Sequence, residues 1–175
     1  RRHSFPTRRS SDLPQISGQG AKYIVSALNA YKKGERKHAS MRGIAASLTD
    51  QDMADLAAFY STSGAVAGAE APGKAAEGSA KAMELVTKGA CASCHGDSFS
   101  KGIDPTYPKI AGQHKDFLFV ALKSYKVENQ STWGRSNAVM GGIAKQFSNA
   151  ELKALAGYVA SVEGELKTVP QSKFR

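Results

Sequence analysis

One stretch of this 175-residue chain occurs twice, so any fold must accommodate two copies of a single unit. PQISGQGAKYIVSALNAYKKG, from Pro14, aligns with PKIAGQHKDFLFVALKSYKVE, from Pro108. At an offset of 94, Ile16 pairs with Ile110, Gly18 with Gly112, Gln19 with Gln113, Leu28 with Leu122 and Tyr31 with Tyr125. Beyond a five-residue insertion in the second copy, Met41 pairs with Met140, Gly43 with Gly142, Ile44 with Ile143 and Leu56 with Leu155. GQGAKYIVSALNAYKKG and GQHKDFLFVALKSYKV both place apolar residues at i, i+3, i+4 and i+7, which predicts an amphipathic helix in each copy. Thr49 with Asp52, and Ser148 with Glu151, form S/T-x-x-D/E capping boxes that open the helices LTDQDMADLAAFYST and FSNAELKALAGYVASVE. The reading is all-α, with two related helical domains in tandem.

The chemistry sits in GACASCHGDS, which holds the only two cysteines, Cys91 and Cys94. Zinc would need two further ligands, and His38, His95 and His114 are the only histidines beyond the opening stretch. A thioredoxin-type pair would need a βαβ context, and no alternating strand pattern lies nearby. His95 directly follows Cys94, and CxxCH is the attachment signature of a c-type haem. Thiols three residues apart lie on one face of a turn, where each can form a thioether to one vinyl group of the same porphyrin, and His95 then projects to the iron as proximal ligand.

Methionine sulfur is the usual sixth ligand in electron-carrying cytochromes c. Met53 and Met83 fall on apolar helical faces and read as packing. Met140 lies in SNAVMGGIAKQFS, read as a glycine-flanked loop 45 residues beyond His95, and Met41 sits in the matching phrase ASMRGIAASLT. With His95 and Met140 on both axial positions, no site remains for a substrate. The expectation is an electron carrier without catalytic residues. Residues 167–175 are tail, and SGAVAGAEAPGKAAEGS, from Ser63 to Ser79, is an Ala/Gly/Pro/Ser linker.

Shifting Cys91, Cys94 and His95 back by 94 places the first copy's haem motif at or before the first written residue, where RRHSFPTRRSSDL stands instead. That stretch resembles a translated sequencing-adapter oligonucleotide, so residues 1–13 are set aside as foreign and residues 14–62 are read as a first domain truncated at its N-terminal side. Four arginines against Asp12 give the opening stretch +3 of the net charge of +9. Without them, little suggests nucleic acid as a partner. The 41% apolar content suffices for a globular core but includes no run long enough to span a bilayer.

These phrases resemble the dihaem class I cytochromes c of the cytochrome c4 type: CASCHG, YPKIAGQ, ALKSYK and MGGIAKQFSNAELKALAGYV stand in family order between Pro14 and about Glu165. The resemblance implies tandem class I cytochrome c domains, here 14–62 and 80–166 joined by 63–79 and followed by the tail 167–175. It implies a periplasmic carrier with one covalent haem c in the written chain and two in the full-length protein, since the first CxxCH is absent here and Met41 is left as the orphan ligand of the first haem. It implies that the Pro108 carbonyl accepts a hydrogen bond from the proximal histidine. It also implies redox proteins as partners, namely a quinol-cytochrome c reductase and a terminal oxidase, with peripheral membrane association left open. The alternative is a dihaem electron-transfer subunit of a catalytic complex such as a flavoprotein sulfide dehydrogenase.

Overall fold

The computed structural model describes residues 13–63, 80–127 and 130–167. Most of the adapter-like stretch, of the linker and of the tail lies outside the described residues.

The first repeat contains α1 (Ala21–Lys33), β1 (Arg36–Lys37), α2 (Ala39–Ser47) and α3 (Asp50–Thr62). The second contains α4 (Ala80–Lys88), α5 (Cys91–His95), α6 (Lys115–Tyr125), β2 (Gly134–Arg135), α7 (Ala138–Lys145) and α8 (Asn149–Ser161). The elements from α1 to α3 correspond one for one to those from α6 to α8, and α4 and α5 have no counterpart among the described residues of the first repeat. Both predicted capping boxes form, with the Thr49 and Ser148 side chains accepting from the N–H groups of Asp52 and Glu151.

The core belongs mainly to the second repeat. Leu85 of α4 meets Phe147 and, on α8, Leu152 and Leu155. Leu118 of α6 meets Ala156 and Val159 of α8, and Phe99, Ala111 and Val162 form a third cluster. The apolar stripes of α6 and α8 therefore face each other, as the periodicity predicts, and α4 also packs on α8. In the first repeat α1 packs on α2 and α3, and Ala45, Met53 and Ala57 are buried.

Three features differ from the sequence reading. Met140 lies within the helix α7, not in a loop; Asn137 at its N-cap accepts from the Met140 N–H at 2.9 Å, and this local bond outweighs the two following glycines. Met83 is 54% exposed, because α4 buries Ala82 and Leu85 on a different stripe. β1 and β2, two residues each, pair antiparallel, so the described residues are helical with one short ribbon.

That ribbon is part of a seam built twice over. Arg36 pairs with Arg135, its own equivalent at an offset of 99. Gln19 donates through Nε2 to the Lys109 carbonyl at 2.9 Å and accepts from the Lys109 N–H at 2.8 Å. Gln113 makes the same two bonds, at the same lengths, with the carbonyl and N–H of Gln15. Lys109 and Gln15 are themselves equivalents, so a pseudo-twofold axis relates the repeats and each grips the other's backbone.

Candidate haem site

The attachment helix α5 is held by what surrounds it. Ala90 before it takes a left-handed conformation at φ 47, and Gly96 after it has φ 79. A Cβ on Gly96 would come within 2.1 Å of the Lys101 carbonyl oxygen, so only glycine lets the chain turn back there. The returning loop bonds to the helix through the Ile103 N–H and the Cys94 carbonyl at 3.0 Å. The buried Phe99 carbonyl then accepts from Ile110 at 2.8 Å and Ala111 at 3.1 Å, which brings Pro108 back over His95.

His95 is buried, and its Nδ1 lies 3.3 Å from the Pro108 carbonyl oxygen. A carbonyl can only accept, so Nδ1 carries the proton and Nε2 presents its lone pair. Burial holds the imidazole below the usual histidine pKa, and the Pro108 contact, which favours protonation, offsets this only in part. The ring is therefore neutral at pH 7. The Tyr107 ring lies tilted beside it, 6.1 Å between centroids. Cys91 and Cys94 are free thiols, both partly buried, and burial pushes the Cys91 thiol up.

Met140 comes from α7, which packs on α6, whereas α5 adjoins α4; α6 and α4 both rest on α8. The two expected axial residues thus belong to different pairs of packed helices, linked through α8. Two unpaired thiols, a neutral imidazole of fixed tautomer and a thioether on an anchored first turn form a donor set that fits a covalently held haem iron. Met41 sits in α2 under the same anchoring, with the Met41 N–H donating to Nδ1 of His38 at 3.3 Å. His38 is exposed, and its side chain caps α2. His114 occupies the N-cap position of α6 without a side-chain cap bond, and Trp133 is 41% exposed.

Residues 79–163 match the family described as Cytochrome c. Cytochrome c4 of Thiocapsa roseopersicina is 30% identical over 154 residues, covering 83% of this chain and 77% of that protein. The chain belongs to the cytochrome c4 family. A second relative, the "Thiosulfate dehydrogenase electron acceptor" of Stutzerimonas stutzeri, is 30% identical over 165 residues, covering 87% of this chain and 72% of that protein. Among solved structures, reduced recombinant cytochrome c4 from Pseudomonas stutzeri superposes with a TM-score of 0.69 at 27% identity, covering 89% of this chain and 87% of that one. As a cytochrome c4 the chain is an electron carrier, not an enzyme, and it carries covalently bound haem c. Among the described residues no helix is long and apolar enough to cross a membrane.

The seam residues Gln19, Gln113, Arg36 and Arg135 were missed as functional candidates. The signal that could have found them is their repetition as polar side chains at equivalent positions of both copies.

Proposed function

We propose that Cys91 and Cys94 carry the thioether links to one haem c, that His95 and Met140 take its two axial positions, and that Pro108 sets the tautomer of His95. The observation that supports this reading is the 3.3 Å contact between His95 Nδ1 and the Pro108 carbonyl, which commits one ring nitrogen to the protein and leaves the lone pair of the other available to a metal. When bound, haem c supplies a one-electron couple, and methionine ligation raises its potential. Asn137 anchors the turn that bears the Met140 thioether. Residues 14–62 are read as part of a first cytochrome c domain, 63–79 as a linker, 80–166 as the second domain and 167–175 as a tail, with residues 1–13 foreign to the natural protein. Met41 is then the sulfur ligand of a first haem, a reading supported by the matching anchors at Met41 and Met140.

The setting that suits such a carrier is the periplasm, where it takes electrons from a quinol-cytochrome c reductase and passes them to a terminal oxidase. A second reading, favoured by the relative whose name makes it an acceptor for thiosulfate dehydrogenase, has the protein collect electrons from a substrate-oxidising enzyme. Redox titration of Met140→Ala tests the ligand set: the haem should stay bound while the reduction potential falls. An unchanged potential would rule Met140 out. Reduction of the purified protein by thiosulfate dehydrogenase, but not by quinol-cytochrome c reductase, would select the second reading.

A further inference from the structure

One lysine bond occurs twice and brackets a methionine each time. Lys126, at the C-cap of α6, donates through Nζ to the Phe147 carbonyl at 2.6 Å. Lys32, in the last turn of α1, donates through Nζ to the Leu48 carbonyl at 2.8 Å. Lys32 and Lys126 are equivalents at the offset of 94, and Leu48 and Phe147 at the offset of 99. Donor and acceptor stand 16 residues apart in the first repeat and 21 in the second, so the bond spans the five-residue insertion and survives it. The segments it closes carry Met41 and Met140.

Both acceptors hold the same place in the fold. Leu48 directly precedes Thr49, the N-cap of α3, and Phe147 directly precedes Ser148, the N-cap of α8. A carbonyl there lies outside the hydrogen-bond ladder of the helix that follows. The N–H groups of the same two residues turn back to the carbonyls of Ala45 and Ala144 at 3.3 Å, in the helices that bear the methionines. Each corner thus grips the methionine helix through its N–H and is gripped by α1 or α6 through its carbonyl. Phe147 is 2% exposed, and a buried carbonyl needs a donor. An ammonium supplies a charge-assisted one, roughly twice as strong as a neutral bond. Met140 is therefore fastened on both sides, by Asn137 before it and by Lys126 at the corner after it.

We propose that Lys126 is a positioning residue for Met140: by closing the methionine segment at its base, it keeps the thioether in its axial place and keeps competing ligands out. It acts through the backbone of Phe147. The same bond forms in the first repeat, whose described residues include no CxxCH, so the clasp belongs to the methionine segment and not to the attachment loop.

This inference rests on the haem reading above, and imidazole binding to the oxidised holoprotein separates the two. Imidazole takes the sixth position only when Met140 leaves it, so its apparent affinity reports the fraction of molecules whose methionine segment is open. Lys126→Leu keeps an apolar stem and removes the donor, and it should bind imidazole on the order of tenfold to a hundredfold more tightly. Lys126→Gln, with a shorter and uncharged donor, should show a smaller gain, and Lys126→Arg a smaller one still. Lys153→Leu, a change at an exposed lysine of α8, should show none. Met140→Ala should bind imidazole most tightly, and adding Lys126→Leu to it should bring nothing further, because the lysine acts through the methionine. A lowered urea midpoint in Lys126→Leu with imidazole affinity unchanged would overturn the proposal by reducing the bond to a structural fastening. A further gain in the double variant would overturn the action through Met140. If Lys126→Leu yields no holoprotein, the ranking of Gln above Arg decides, and any result without that ranking overturns the proposal. Unchanged affinity in Met140→Ala would remove the ligand reading and the proposal with it, whereas a gain there without one in Lys126→Leu removes only the clasp.

Discussion

The two repeats raise the same three helices, yet cover them differently. On α8, Leu155 is 5% exposed and Tyr158 packs against the core; at the equivalent positions of α3, Leu56 is only partly buried and Phe59 is 63% exposed. α6 buries Leu118, Ala121 and Ser124, whereas α1 buries no residue fully. The second repeat adds α4, α5 and the loop that returns over His95, and Leu85 of α4 and Phe99 of that loop bring further buried side chains against α8 and the residue that follows it. The comparison separates two jobs. Helix formation is local, encoded in caps and amphipathic spacing that both copies possess, while burial is supplied by the half that also bears the haem attachment motif.

That separation can be broken most severely at the cysteines. Cys91→Ala with Cys94→Ala should abolish covalent haem, read as loss of haem-dependent peroxidase staining on a denaturing gel, whereas Met41→Ala in the first repeat should leave that staining intact. A truncation from Leu to Ala sharpens the difference in burial. Leu155→Ala should cost about 2–5 kcal/mol in urea unfolding of the holoprotein, and Leu56→Ala clearly less; equal losses would show that the first repeat has a core as closed as the second. The seam predicts symmetry in place of contrast. Gln19→Ala and Gln113→Ala each leave a backbone N–H and carbonyl of the opposite repeat without their partner, for about 1–3 kcal/mol each, and the two losses should match.

The smallest effect is an acid-dependent one, again the same in both repeats. The Thr49 hydroxyl and N–H hold the Asp52 carboxyl below its usual pKa, and the Ser148 N–H and hydroxyl do so for Glu151. A carboxylate depressed on folding stabilises the fold fully above its unfolded pKa, and that contribution is lost as pH falls through the folded value. Amide exchange at the starts of α3 and α8 should therefore quicken together below about pH 4. Asp52→Asn and Glu151→Gln should flatten the response, each in its own helix only.

The helices with strong periodicity and both capping boxes were legible in the sequence because they are determined within four residues of chain. CxxCH was legible because covalent attachment demands that spacing. α2 and α7 were not, since ASMRGIAAS and AVMGGIAK carry glycines that lower helix propensity, and the caps that rescue them, His38 and Asn137, precede segments too short to show a period. The ribbon was illegible for another reason: two residues have no pattern, and their partner lies about a hundred residues away. Pro108 was reached through the family resemblance. Its physical cause, the Phe99 carbonyl gathering Ile110 and Ala111 into a tight return, is a tertiary fact with no local sequence mark.

The glutamine grips across the seam recognise peptide groups and not side chains. Lys109 and Gln15, the residues grasped, contribute only an N–H and a carbonyl, which every amino acid but proline can offer. A duplicated unit joined in this manner is free to diverge at the grasped positions, one copy turning basic and the other remaining neutral, without either half losing its hold on the other. The seam is a fastening indifferent to what its two halves become.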